Sequence, residues 1–298
     1  MDHCLGVMSE IEIRPANGMA EMKDIEEIQL VIWGKDEREM MPAHLLHALQ
    51  HNGAAVLSAY DGSKLVGFTI AVLGTVEGLT ERIDQVAAAR LKMYSVIAGV
   101  LDEYRDTGVG YRLKMAQRDF ALRIGIRLIS WVYDPLESRN ARFNIGKLGA
   151  VCNRYLRNFH GEMAGINAGL ETDRFEVEWW VTSNRAKGRA KQQRRPLSLQ
   201  TLLDGGAVIV NKAAFDDSGL LVPSSDISYQ PANLILVEIP ADFQHIKQQD
   251  FPLALRWRMH SRTMFEALFR DGYLVSDFVS QMDGENRRSY YLLVHQDA

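Results

Sequence analysis

The sequence predicts a mixed α/β protein in which helices flank a central sheet. Three observations carry that expectation. Apolar residues recur with strand and helix periods in the order strand, two helices, three strands, helix, strand, helix, two strands. Two adjoining apolar runs are separated by "YDGSK", whose Asp61-Gly62 step supplies a hairpin turn. The run "LKMYSVIAGV" then delivers the chain into "LDEYRDTGVG", a strand that feeds a glycine turn and a helix.

In chain order, "IEIRPA" alternates apolar and polar residues and ends in proline, as a strand leaving a sheet does. "AEMKDIEEIQLVIW" sets Met22, Ile25, Ile28 or Gln29, and Ile32 at helical spacing, and "PAHLLHALQHNG" is a second helix opened by proline and closed at Gly53. The hairpin follows, then the connecting segment "TVEGLTERIDQVAAAR" and the strand of residues 91–100. Val109, Leu113, Ala116, Phe120 and Ile124 form the stripe of the next helix, which stops at Gly125. "IRLISWVYDP" is a strand ended by proline. Ala141, Phe143, Ile145 and Leu148 mark a shorter helix ended by Gly149, and "VCNRYLRNF" and "FEVEWWV" are strands, one tryptophan of the pair anchoring the sheet.

Six positive charges and no negative one lie in "NRAKGRAKQQRRP". The sequence therefore divides into residues 1–184, a basic linker or loop over 185–196, and a C-terminal α+β extension over 197–298. The basic run reads either as a solvated segment or as a clamp for a phosphorylated or acidic ligand. Within the extension, "GGAVIVN" and "NLILVEIP" are strands. Leu253, Trp257, Met264, Phe265, Leu268 and Phe269 lie on one long helix, and "LVSDFV" and "SYYLLVHQ" are strands after it. Helix, glycine, strand, strand repeats the order of residues 140–181.

The 298 residues are 47% hydrophobic with a formal charge of −4, which argues against general phosphate attraction to nucleic acid. The two cysteines, Cys4 and Cys152, have no disulfide or zinc spacing, so a reducing cytoplasm is expected. "MDHCLGVMSE" lacks a signal-peptide pattern, and "LVGFTIAVLG" is too short to span a bilayer, so neither export nor a membrane is expected. His44, His47 and His51 share a helix face without an acidic companion, which fits an exposed face better than a metal site. No metal is expected.

A strand–glycine turn–helix unit leaves unpaired N–H groups at the positive end of a helix dipole, where an anion binds. Gly108 and Gly110 let a phosphate approach the main chain. No nucleoside-triphosphate loop or dinucleotide fingerprint is present. Arg105, Gly108 and Gly110 make R-x-x-G-x-G, and with the element order of residues 11–181 and "NARFNIGKLGA" the sequence resembles the GCN5-related N-acetyltransferase superfamily. "GVLDEYRDTGVGYRLKMAQR", "DPLESRNARFNIGKLGA" and "EWW" are similar to an uncharacterised bacterial branch of predicted acetyltransferases. About three fifths of the chain is covered, and the extension is similar to half of the family's fold.

The resemblance implies a co-substrate, acetyl-coenzyme A or another acyl-coenzyme A, between the strand ending at Val100 and the strand "LISWVYD". The backbone of Ala98, Gly99 and Val100 would hold pantetheine and thioester. N–H groups from Asp106, Thr107, Gly108, Val109, Gly110 and Tyr111 would receive the pyrophosphate. Arg105 would shape the loop or pair with Asp102 or Glu103. The carboxylate of Asp106 is unfavourable near phosphate, so its backbone is the expected contact. Asn140 either bonds pantetheine or caps its helix. Ile145 stands where many relatives place a tyrosine acid, which leaves Tyr133, Asp134 and Tyr155 as catalytic candidates. His160 is a loop residue that can line the acceptor pocket. The expected activity is acyl transfer to a small-molecule amine by direct attack, the alternative being a non-catalytic coenzyme A-binding or assembly module. The extension would complete the acceptor pocket or mediate homodimerisation.

Overall fold

The computed structural model of the chain describes residues 10–34, 40–76, 91–161, 169–191, 193, 197–225, 227 and 229–296. These form two compact units, Met1–Ser130 and Trp131–Ala298, whereas the sequence placed its boundary at the basic run.

In the first unit, β1 (Glu12–Pro15), β2 (Ala55–Asp61), β3 (Lys64–Thr75) and β4 (Leu91–Val100) pair antiparallel in that order. β4 then pairs parallel with the start of β5 (Leu128–Tyr133). Helices α1 (Gly18–Trp33) and α2 (Ala43–His51) bury Met22, Ile25, Ile28 and Leu46 against Val56, Phe68 and Ile70 of the sheet. Each such side chain contributes roughly 1.5–3 kcal/mol when fully buried. Gln29 lies in the same stripe because its amide is satisfied, accepting from the Met41 N–H at 3.0 Å and donating to the Met41 carbonyl at 3.1 Å. The hairpin turns where "YDGSK" predicts, with Gly62 at a φ of 59°. Residues 77–90, most of the predicted connecting segment, lie outside the described residues.

Helix α3 (Val109–Arg123) differs from expectation in the face it buries. Its buried residues are Val109, Leu113, Lys114, Gln117 and Ala121, and Ile124 is 45% exposed. The rotation follows from two polar side chains that find hydroxyl partners on β3 and β4, described below.

The second unit holds a sheet in the order β5-β7-β6-β12-β13-β11-β8, formed by β6 (Val151–Leu156), β7 (Arg174–Trp180), β8 (Val208–Ile209), β11 (Leu234–Ile239), β12 (Tyr273–Asp283) and β13 (Asn286–His295). A two-stranded ribbon of β9 (Ala214–Phe215) and β10 (Leu221–Val222) stands apart. The short helix α4 (Ser138–Ala141) runs into a π turn over Arg142–Leu148. Trp179 is buried and donates to the Leu148 carbonyl at 3.0 Å, while Trp180 is 46% exposed, as alternation along a strand requires.

The basic run begins as a helix, α5 (Asn184–Ala190), capped by the Ser183 hydroxyl. Its arginines turn inward to carbonyls that the π turn leaves open. Arg185 donates to Gly149 at 3.0 Å, and Arg189 donates to Gly146 at 2.6 Å and to the Asp277 carboxylate at 2.8 Å. Arg194 and Arg195 lie outside the described residues.

The remaining helices are α6 (Leu199–Asp204), α7 (Phe243–Gln249) and α8 (Phe251–Arg270). The repeated order noted in the sequence is a repeated topology. β5, α4, β6 and β7 give the strand order β5-β7-β6, and β11, α8, β12 and β13 give β11-β13-β12. The turns before β6 and β12 hold glycines with left-handed φ, Gly149 at 81° and Gly272 at 83°. The two copies meet where Val275 pairs antiparallel with Cys152.

The leading strands agree as well. β5 has a parallel neighbour for two residue pairs, and β11 has one in β8 for two pairs. Beyond that point in the second copy, the Asn211 side chain takes the place of a strand. Its amide donates to the Glu238 carbonyl at 2.9 Å and accepts from the Glu238 N–H at 2.7 Å.

Candidate functional site

The loop between β4 and α3 is tied down by its side chains on one side. The Tyr104 hydroxyl donates to the Asp61 carboxylate at 2.7 Å, and this bond raises the tyrosine pKa. Lys64 donates to Glu103 at 2.9 Å and lies 5.3 Å from the centre of the Tyr104 ring. Asp61 and Lys64 form the tip of the predicted hairpin. Arg105 pairs with Asp102 at 2.6 Å, one of the two roles the sequence offered it, and the Thr107 hydroxyl donates to the Tyr104 carbonyl at 2.7 Å.

The main-chain donors at the start of α3 are left without a side-chain cap. Gly108 is the N-cap of α3 with a φ of 94°, and no side chain caps the helix. The N–H groups of Val109 and Gly110, in the first turn, therefore have no intrahelical carbonyl and no capping oxygen. A Cβ on Gly108 would meet nothing within 4 Å, so backbone conformation rather than crowding favours glycine there. Asp106 also has a positive φ, 63°, a conformation that aspartate tolerates better than most residues. Uncapped donors at the positive end of a fifteen-residue helix are the backbone arrangement that favours an anion.

β4 supplies a second set of donors. It pairs with β5 only at Met93–Ile129 and Tyr94–Ser130. Beyond Tyr94, the described residues of the first unit add no further partner on that edge. On the other edge, the Leu101 N–H donates to the Val66 carbonyl at 3.0 Å. Because N–H direction alternates along a strand, the N–H groups of Ala98 and Val100 face the open edge. Gly99 is required for packing, since a Cβ would come within 2.7 Å of Trp33 and 2.8 Å of Ile32 at the end of α1.

The catalytic candidates lie in the second unit, each with its polar group engaged. Tyr133 is buried with its hydroxyl 3.1 Å from that of Tyr291, which donates to the Pro135 carbonyl at 2.8 Å; burial pushes the Tyr133 pKa well up. The Asp134 carboxylate accepts from the Leu136 N–H at 2.9 Å and from both terminal nitrogens of Arg258 at 3.0 and 2.5 Å. A carboxylate so held is an acceptor. Tyr155 donates to Asp173 at 2.7 Å, and burial raises its pKa as well. Burial works against the Asp173 charge, but two bonds from Arg262, at 2.8 and 2.7 Å, keep its pKa low. Tyr155 also lines an open basin of about 530 Å³ with Arg154, Arg157, Glu266, Phe269 and Arg270.

Asn140 is exposed on α4, and Ile145 is fully buried in the π turn. The His160 N–H donates to the Thr172 hydroxyl at 3.0 Å, and its ring lies edge-on to Phe159; residues 162–168 of that loop lie outside the described residues. His44, His47 and His51 are exposed on α2. Among the described residues no helix is long and apolar enough to cross a membrane.

Sequence reasoning missed a polar group inside the first unit. Lys114, 5% exposed, donates to the Ser95 hydroxyl at 2.8 Å and to the Gln117 side-chain oxygen at 3.1 Å. Gln117 donates to Thr69 at 3.0 Å and to Ser95 at 3.1 Å. Burial pushes the Lys114 ammonium down to about 7. The signal in the sequence is a second helical stripe, Leu113, Lys114, Gln117 and Ala121, two of whose members are polar.

The fold is the mixed α/β arrangement with flanking helices that the sequence predicts. Solved structures of acetyltransferases are among its neighbours. The chain is similar to Arabidopsis thaliana NAA60 in complex with acetyl-CoA, at 16% identity and a TM-score of 0.46, over 58% of this chain and 100% of that one. It is similar to yncA from Salmonella typhimurium with its cofactor acetyl-CoA, at 18% identity and a TM-score of 0.43, over 59% and 96%. The ribosomal-protein-S18-alanine N-acetyltransferase from Escherichia coli is similar at 12% identity and a TM-score of 0.44, over 58% and 96%. No family model and no curated protein matches the sequence. At these values the likeness decides nothing about this chain, whose fold and chemistry rest on its own residues.

Proposed function

We propose that the protein is an acyltransferase that moves an acetyl or related acyl group from acyl-coenzyme A to the amine of a small molecule. The observation that carries this reading is the pairing of two donor sets in one unit: the uncapped N-terminus of α3 and the Ala98 and Val100 N–H groups on the open edge of β4. The first suits a pyrophosphate and the second a pantetheine arm ending in a thioester. A neutral amine attacks the thioester carbon directly, and the Val100 N–H receives the developing oxyanion. Tyr133, Asp134 and Tyr155 remain the candidates for handling the proton, with Asn140 as a pantetheine contact. Homodimerisation through the extension is part of the same reading, tested by the mass in solution.

A second reading, a non-catalytic coenzyme A-binding module, is favoured by one observation. Ile145 fills the tyrosine place, and all three replacement groups are already hydrogen-bonded. Calorimetric titration with acetyl-coenzyme A, followed by a screen of amines for release of free thiol, separates the two. Binding with turnover supports the enzyme, binding without turnover on any amine supports the module, and no binding removes both.

A further inference from the structure

We propose that Lys114 and Gln117 are positioning residues that hold the α3 cradle at a fixed spacing from the open edge of β4, acting through the hydroxyls of Ser95 and Thr69. This rests on the acyl-coenzyme A reading above. Ser95 follows Tyr94, the last residue of β4 in register with β5. The next residue, Val96, is the extra one at a register shift, since Ile97 pairs with Ile70 and Ser95 with Ala71. A strand that loses one neighbour and bulges at the same place has little to fix its course.

The polar group grips both sides of that bulge. On one side Ser95 accepts from Lys114 at 2.8 Å and from Gln117 at 3.1 Å. On the other the Thr69 hydroxyl, which accepts from Gln117 at 3.0 Å, donates to the Ile97 carbonyl at 3.3 Å. Lys114 and Gln117 lie on α3, the helix whose first turn forms the cradle, so the bonds tie cradle to strand. An apolar residue at 114 would avoid burying an amine, so fold stability alone does not call for lysine. A ligand that engages cradle and strand at once gains affinity over its fragments only while their spacing is kept.

Calorimetry with coenzyme A and with ADP, which carries the pyrophosphate without the pantetheine arm, tests the brace. Wild-type protein should bind coenzyme A more tightly than ADP. Lys114→Met and Ser95→Ala should bind ADP within about twofold of wild type and coenzyme A at least about tenfold more weakly, with no loss of melting temperature in the methionine variant. Ser95→Thr, which keeps the hydroxyl, should restore the wild-type ratio. An unchanged ratio in both variants, or equal loss of the two ligands, overturns the brace. Absence of coenzyme A binding to wild type instead removes the functional reading beneath it.

Discussion

The hydroxyl of Tyr104 donates to the carboxylate of Asp61 at 2.7 Å across 43 residues of chain, and the bond anchors the cradle loop to the tip of the β2–β3 hairpin. Both groups are near solvent, so the bond adds little to global stability. Its effect is to hold the loop in the conformation that leaves the first turn of α3 uncapped. Tyr104→Phe should therefore weaken coenzyme A binding by about fivefold, the worth of one ordinary hydrogen bond, with little change in melting temperature. Asp61→Asn keeps an acceptor and should lose less. Equal affinities for Tyr104→Phe and wild type by calorimetry would show that the loop needs no anchor.

The cradle makes a charge-specific prediction at two neighbouring positions. Gly108 has a φ of 94°, so every side chain there incurs backbone strain of roughly 1–2 kcal/mol, least for asparagine. Gly108→Asn is thus the control for Gly108→Asp, and the aspartate should bind coenzyme A at least about tenfold more weakly than the asparagine because only it repels phosphate. Asp106→Asn keeps the side-chain shape and should tighten binding, more at low salt than at high salt. Affinities that follow side-chain size and ignore charge would place the pyrophosphate elsewhere.

The backbone conformations at these positions were legible in the sequence because they depend on local chemistry. A glycine beside a helix start, an Asp-Gly hairpin and a strand rich in β-branched residues each announce a conformation within a few residues. Helix α1 was legible for the same reason, and Gln29 caused no error because either it or Ile28 completes the period. What stayed hidden depends on partners distant in sequence. The partners of Lys114 and Gln117 are not visible locally, because Ser95 and Thr69 lie 19 and 48 residues away. Arg185 and Arg189 read as a linker until the carbonyls of the π turn are present.

The extension makes its own prediction. Asn211 is 1% exposed, and its amide closes the gap that β8 leaves beside Glu238. Asn211→Ala leaves the Glu238 N–H and carbonyl buried without those partners, at a cost of about 2–5 kcal/mol for the two groups. Urea denaturation should show that loss, while coenzyme A affinity stays within about twofold, because the cradle belongs to the other unit. A variant as stable as wild type would mean that water replaces the amide without penalty.

Lys114 makes stability depend on pH with a definite sign. Its pKa is pushed down to about 7 in the folded chain by burial, from the usual 10.5 of a lysine in water. Between those two values the unfolded chain holds one more proton than the folded one, so stability rises with pH across that window. The cost of burying the lysine is therefore largest below about pH 7, where the folded protein must carry the buried charge, and is relieved as pH approaches 10.5. Lys114→Met has no proton to lose. It should be more stable than wild type near pH 7, and its advantage should shrink by up to about 1.4 kcal/mol for each pH unit above that. Denaturation of both proteins at pH 6, about 7.5 and about 9 reads this difference directly, since groups common to both cancel. A difference that stays flat with pH would show that the ammonium keeps its charge in the folded protein, held by its bonds to Ser95 and Gln117 more strongly than burial opposes it.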